Sequence, residues 1–115
     1  MKRVYVSHPY GGLAENKKAV EGLLESLVNA ETDIAGSTLL SLGCDTKFIS
    51  PIHVFGSLYN VLDYLDGLNM CLTLLSKCDV LLLCGDWQSS KGCMAEYAYA
   101  KAKGIPMMYT GGKYD

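Results

Sequence analysis

Residues 3–6 (RVYV) are β-branched or aromatic and stop at a run of turn formers, Ser7-His8-Pro9-Tyr10-Gly11-Gly12. The pattern predicts a first strand that ends abruptly. From about Glu15 the apolar positions change period. Val20, Leu24, Leu27, Ala35 and Leu42 keep near-helical spacing, and Leu23, Val28, Ile34 and Leu39 widen the stripe. Glu31-Thr32-Asp33 is a candidate break, so this stretch is one helix or two. Residues 47–52 (KFISPI) predict a second strand running into Pro51, with a loop over 53–59. A helix is expected over 61–77, carried by Leu62, Leu65, Leu68, Met70, Leu72 and Leu75 and weakened by Gly67. Residues 79–84 (DVLLLC) are almost continuously apolar, as in a strand covered on both faces. A Gly- and Ser-rich loop over 85–92 follows, then an Ala-rich helix over 93–103 closed by Gly104 and Pro106, and a short strand over 107–110.

Strands alternating with helices predict a parallel sheet with helices on both sides. Right-handed crossovers narrow the choices to a small Rossmann-like, flavodoxin-like α/β three-layer sandwich with four parallel strands in order 2-1-3-4. In that order strands 1 and 3 are neighbours and their following helices lie on opposite faces. A crevice then opens at their C-terminal ends, where loops 7–12 and 85–92 meet.

The chain has 115 residues, half of them apolar and 19% charged, which fits one folded domain over 1–115 and argues against disorder. A domain this short has a small core, so a complete pocket can require a second subunit. Twelve acidic against ten basic residues give a net charge of −2, with no sign of the basic face that a nucleic-acid polymer needs. No apolar run approaches the roughly 20 residues that cross a bilayer, and the N-terminal apolar segment is too short for a signal-peptide core. A cytoplasmic protein is expected. The cysteines (Cys44, Cys71, Cys78, Cys84 and Cys93) are odd in number and form no C-x-x-C pair, so they read as reduced, buried small hydrophobes. His8 and His53 supply no zinc spacing. No metal or other cofactor is expected.

The loop over 85–92 feeds a helix whose first turn is Ser89-Ser90-Lys91-Gly92. Free N–H groups, the helix dipole, two hydroxyls and a lysine can together hold an anion such as a phosphate. The plainer reading is that one serine is an N-cap. Neither G-x-x-x-x-G-K-[ST] nor G-x-G-x-x-G occurs, which argues against nucleoside triphosphate hydrolysis. Glu96 lies four residues past Gly92 on one helix face, and helical side chains lean toward the N-terminus. Ser90 and Glu96 are separated by about 9 Å of helix rise. Side-chain reach shortens this to something like the distance from a 5′-phosphate to the anomeric carbon of a ribose. A carboxylate there can attack or stabilise a sugar cation, as in retaining glycosidases. The plainer alternative is an exposed glutamate pairing with Lys91 or Lys103. Tyr5, at the end of the first strand, can orient Glu96 or simply fill the core. Asp86 can anchor a sugar hydroxyl, or donate a proton if burial raises its pKa; otherwise it is a turn residue. Trp87 can stack on a base. His8 is a candidate general acid or a loop cap.

VYVSHPYGG with Asn16, SPIHVF, and above all LLSKCDVLLLCGDWQSSKGCMAEYAYAKAKGIPMM resemble the nucleoside 2-deoxyribosyltransferase-like superfamily, which includes nucleotide N-glycosidases. The resemblance covers most of the chain outside roughly 20–45. It implies a small Rossmann-like fold, a dimer or larger homo-oligomer whose neighbouring subunit helps close each site, and a covalent glycosyl-enzyme mechanism. By position, Glu96 is implied as the nucleophile and Tyr5 as its orienting residue. Ser90 and the 7–12 loop, with Ser7, His8, Gly11 and Gly12, are implied to surround the sugar and any phosphate. Asp86 falls where some members carry an acid. One position departs from the pattern. Catalytic members carry an aspartate eight residues before Asp79, thought to assist the leaving base; here Cys71 occupies it, and Asp63 and Asp66 lie a turn or more away.

The reading that follows is cleavage of a nucleoside or nucleoside monophosphate, or transfer of its sugar. Tyr5, Asp86 and Glu96 are the expected catalytic residues. Ser7, His8, Gly11, Gly12, Trp87, Ser89, Ser90 and Gly92 are expected around the substrate. The alternative, motivated by Cys71, is a non-catalytic nucleotide-binding or sensor domain of the same fold.

Overall fold

In a computed structural model of the chain, residues 2–10, 14–28, 46–55, 58, 61 and 63–110 are described. Strands β1 (Lys2–Ser7), β2 (Thr46–Ile49), β3 (Val80–Cys84) and β4 (Met107–Thr110) form one sheet in the order β2-β1-β3-β4, every pair parallel. The expected order 2-1-3-4 is the order found. The helices are α1 (Ala14–Val28), a short α2 (Pro51–Phe55), α3 (Tyr64–Ser76) and α4 (Lys91–Lys103), with a 3₁₀ turn over Trp87–Ser89.

The two faces of the sheet follow from strand alternation. Val4 and Val6 of β1, Val80, Leu82 and Cys84 of β3, and Met108 of β4 face one side, where Leu23, Leu24 and Leu27 of α1 cover them. Tyr5, Leu81 and Leu83 face the other, under Leu75 of α3 and Cys93 and Ala100 of α4. All five residues of β3 are buried, which is why its sequence shows no alternation. Each of its leucines contributes about 1.5–3 kcal/mol by leaving water. β1 and β3 pair with Tyr5 beside Leu81 and Ser7 beside Leu83, so the two central strands end level. At their opposite end the Asp79 carboxylate accepts the Arg3 backbone N–H at 2.8 Å, and the Asp79 N–H returns a bond to the Arg3 carbonyl at 2.8 Å.

The second strand is shorter than its sequence pattern and stops at Ile49. Proline cannot donate to a ladder and its fixed φ suits the first helical position. Pro51 therefore opens α2, in place of the expected strand end and loop. The Ser50 carbonyl accepts the N–H groups of His53 (3.1 Å) and Val54 (3.0 Å). The first helix is seen over Ala14–Val28; the choice between one helix and two over 29–45 lies outside the described residues. Helix α3 starts at Tyr64, after Asp63, rather than at 61.

Candidate active site

Tyr5 and Ser7 are two residues apart on β1, so both side chains leave the same face of the sheet, toward α4. Cys93, Glu96 and Ala100 form the buried stripe of α4. This places a glutamate where an apolar residue would be expected. Glu96 is only 6% exposed, and among the described residues neither Lys91 nor Lys103 forms an ion pair with it. The Tyr5 hydroxyl donates to Glu96 Oε2, and the Ser7 hydroxyl donates to Oε1 at 2.8 Å. Each carboxylate oxygen thus receives a proton donor from the end of β1. Burial pushes the Glu96 carboxyl above its ordinary range, and the two hydroxyl donors pull it part of the way back. Burial, then the Glu96 charge, pushes the Tyr5 hydroxyl far up, so it stays a neutral donor.

Ser90 is the N-cap of α4: its hydroxyl accepts the Cys93 N–H at 3.3 Å. Gly92 sits in the first turn, where an added Cβ would meet only Ser90 Oγ, at 3.9 Å. His8 joins the loops that follow β1 and β3. Its Nδ1 lies 2.8 Å from the Pro9 carbonyl, which can only accept, so Nδ1 carries a proton. Its Nε2 lies against Gly85, which adopts φ +61°; an added Cβ there would be 3.0 Å from that nitrogen. Asn16 of α1 donates to the Tyr10 carbonyl at 2.9 Å and ties the first loop to the helix behind it. Gly11 and Gly12 lie outside the described residues.

Two residues of the 85–92 loop behave differently from expectation. Trp87 is buried, at 2% exposure, and cannot offer a face to a base. The 3₁₀ turn folds its indole inward against Tyr97 (5.3 Å between ring centroids) and Tyr109 (6.0 Å), because burying this large apolar surface outweighs its loop setting. Asp86 is exposed at that turn rather than buried. Its carbonyl accepts the Ser89 N–H (3.1 Å) and the Ser89 hydroxyl (2.8 Å), so Ser89 closes the turn.

Two cysteines that read from sequence as inert lie in the site. Cys71 of α3 is half-buried, and burial, then the Glu96 charge, pushes its thiol up. Cys93 of α4 is buried, and burial pushes its thiol up to about 11. Their spacing carries a signal. Cys71 is one helical turn before the buried Leu75, and Cys93 lies midway between Ser90 and Glu96 on one helix face. The described cysteines Cys71, Cys78, Cys84 and Cys93 are free thiols. Among the described residues no group of three or more His, Cys, Asp or Glu side chains is placed to hold a metal ion, and no helix is long and apolar enough to cross a membrane.

The arrangement resembles solved proteins in its fold. A family described as Domain of unknown function (DUF4406) matches residues 2–109. No curated protein matches the chain. A solved structure described as a 2-desoxiribosyltransferase from Leishmania mexicana superposes with a TM-score of 0.59 over 93% of this chain, at 18% sequence identity. The chain spans 62% of that protein's length. The likeness is one of fold, and it is the fold expected from the sequence motifs.

Proposed function

The chain belongs to the DUF4406 family, and on that premise we propose that it acts on the N-glycosidic bond of a nucleoside or nucleoside monophosphate, with Glu96 as nucleophile. The observation that carries the reading is a buried carboxylate held by two hydroxyl donors, Tyr5 and Ser7, at the C-terminal end of the central strands. Open α/β sheets bind their ligands at this edge.

One oxygen of ionised Glu96 forms a bond to C1′ of the sugar. The C1′–N bond breaks, and its electron pair leaves on the base nitrogen. Water, or the nitrogen of a second base, then attacks C1′ and releases the carboxylate. Tyr5 and Ser7 fix which carboxylate lone pairs face the sugar, so the attacking atom is oriented before substrate arrives. Ser90 and Gly92, at the N-terminus of α4, provide the end of the site suited to a phosphate or sugar oxygen. The missing side chain of Gly92 leaves room there. His8 lines the crevice from the β1 side.

The reading includes a homo-oligomer. Of the described side chains of α3 only Leu75 is buried; Leu65 is 64% exposed, and Leu68, Met70, Leu72 and Leu74 are half-exposed. A helix apolar on most sides is ordinarily covered. A second copy suits this face, because a net charge of −2 opposes self-contact only weakly.

The test is incubation with deoxynucleosides, ribonucleosides and their monophosphates, with chromatography for free base. Release of base by the wild type, reduced at least ~100-fold in Glu96→Ala, is the expected result. Equal release by both proteins overturns the catalytic role. A second reading is favoured by one observation: Cys71, rather than a carboxylate, stands on α3 eight residues before Asp79. It makes the domain a nucleotide sensor. Calorimetry separates the two, since a sensor binds a nucleotide tightly and returns it intact.

A further inference from the structure

The loops that follow β1 and β3 contain one histidine, His8. It directly follows Ser7, whose hydroxyl donates to Glu96 Oε1 at 2.8 Å. The two strands end level, with Ser7 beside Leu83, so His8 stands at the sheet edge where the carboxylate is held. The half-buried ring is fixed along two edges. Nδ1 lies 2.8 Å from the Pro9 carbonyl, an acceptor only, so Nδ1 keeps its proton whether the ring is neutral or charged. The other edge rests over Gly85, where an added Cβ would lie 3.0 Å from Nε2, 3.3 Å from Cδ2 and 3.7 Å from Cε1. Glycine adopts the φ of +61° at this position without strain, and its missing side chain leaves the ring its place. Among the described residues Nε2 has no hydrogen-bond partner. A histidine held in this way gains and loses its proton at Nε2.

We infer that His8 is the catalytic acid of the reaction, passing its Nε2 proton to the base as the C1′–N bond breaks. The inference rests on Glu96 being the nucleophile. A leaving base carries away an electron pair, and a proton delivered in the transition state stabilises it. Glu96 cannot supply that proton, because it attacks as the carboxylate and from the face of C1′ opposite the base. Tyr5 and Ser7 already give theirs to Glu96. His8 remains, with Nε2 unengaged. Imidazolium Nε2–H gives its proton to a ring nitrogen or carbonyl oxygen of the base, which departs neutral, while Glu96 becomes the glycosyl ester. Water, or the N–H of a second base, then approaches C1′ from the side just vacated. Its proton goes to the neutral Nε2 as the ester breaks, and both residues return to their starting states.

The experiment compares His8→Ala and His8→Asn with the wild type. The asparagine amide can still donate to the Pro9 carbonyl but has nothing at the place of Nε2, so it separates proton transfer from support of the loop. Two substrates are used: the nucleoside that the wild type cleaves fastest, and the p-nitrophenyl glycoside of the same sugar, whose phenolate leaves without a proton. With the nucleoside, kcat/KM is expected to fall at least ~100-fold in both variants. With the p-nitrophenyl glycoside, it is expected to stay within about five-fold of wild type. Equal losses on the two substrates, or wild-type rates in His8→Asn, overturn the inference. Long-range ¹H–¹⁵N NMR of the ligand-free wild type supplies an arm that needs no turnover. His8, assigned from its loss in His8→Asn, is expected to carry its proton on Nδ1 when the ring is neutral. A proton on Nε2 instead overturns the inference. If the wild type releases no base from any nucleoside, the reading of Glu96 fails and this step falls with it, a result distinct from a loss equal on both substrates.

Discussion

Glu96 is under two opposing influences. Burial favours the neutral acid, whereas the Tyr5 and Ser7 hydroxyls favour the carboxylate; burial prevails, and the folded-state pKa lies above the ordinary value of 4.5. The folded protein therefore holds this proton more tightly than the unfolded chain. The stability this gives is complete below the ordinary carboxyl range, and it is lost as pH rises through the raised pKa. Relative to Glu96→Gln, which does not titrate, the wild type should lose stability from about pH 4.5 up to that pKa and then level off. The slope between the two is at most about 1.4 kcal/mol for each step of one in pH. Urea titrations of both proteins from about pH 4 to about pH 8 measure the difference. A flat difference would show that the carboxyl is not desolvated. The acid limb of kcat/KM, which reports the free enzyme, should share the same midpoint, because only the ionised carboxylate can attack. Part of this residue's setting is legible in the sequence: Glu96 lies among Ala95, Ala98 and Ala100, small neighbours that suit a packed helix. Trp87 is not legible in the same way. Its Gly- and Ser-rich neighbours indicate a loop, and only contact with Tyr97 and Tyr109 draws the indole inside.

Among the elements, it is the termini that carry the most local information. Ser90 and Gly104 bracket α4 as capping rules anticipate. Gly104 adopts φ +73°, and the Ile105 N–H donates to the Ala100 carbonyl at 2.9 Å, which closes the helix. An added Cβ at Gly104 would touch nothing, so Gly104→Ala isolates backbone strain from packing. A loss of about 1 kcal/mol is expected, with the site unaffected, since Gly104 lies at the far end of α4 from Ser90. Chemical denaturation reads the loss; an unchanged midpoint would mean that the turn relaxes. The boundaries that differ from the sequence pattern share a cause. Over 47–52 the apolar pattern continues through Pro51, but proline ends the ladder and begins α2. Stripe periodicity reports burial, and it does not show where hydrogen bonding changes partner.

For the molecule as a unit, the parallel sheet brings together residues 91 positions apart, Tyr5 and Glu96. The same topology leaves α3 with one buried side chain and a groove of about 410 Å³ on its outer surface, lined by Asn69, Met70, Thr73, Leu74 and Lys77. If a second copy covers this surface, light scattering after size exclusion should give a mass of at least twice 12.5 kDa at tens of micromolar. A Leu65→Glu, Met70→Glu double variant should then give the single-chain mass, because two unpaired carboxylates would be desolvated at the contact. A wild type at 12.5 kDa would exclude self-association through α3.

Residue order was enough to establish the alternation of strands and helices, the sheet order once right-handed crossovers are imposed, and the pairing of Glu96 with the end of the first strand as the chemistry to look for. These depend on period, capping and chain connectivity, which are local properties or nearly so. Packing in three dimensions was needed to establish that Trp87 is core, that Asp86 faces solvent, and that the Ser7 hydroxyl joins Tyr5 in holding the Glu96 carboxylate. Those outcomes depend on which side chains meet across elements and on how completely water is removed between them, and neither is encoded in the spacing of residues along the chain.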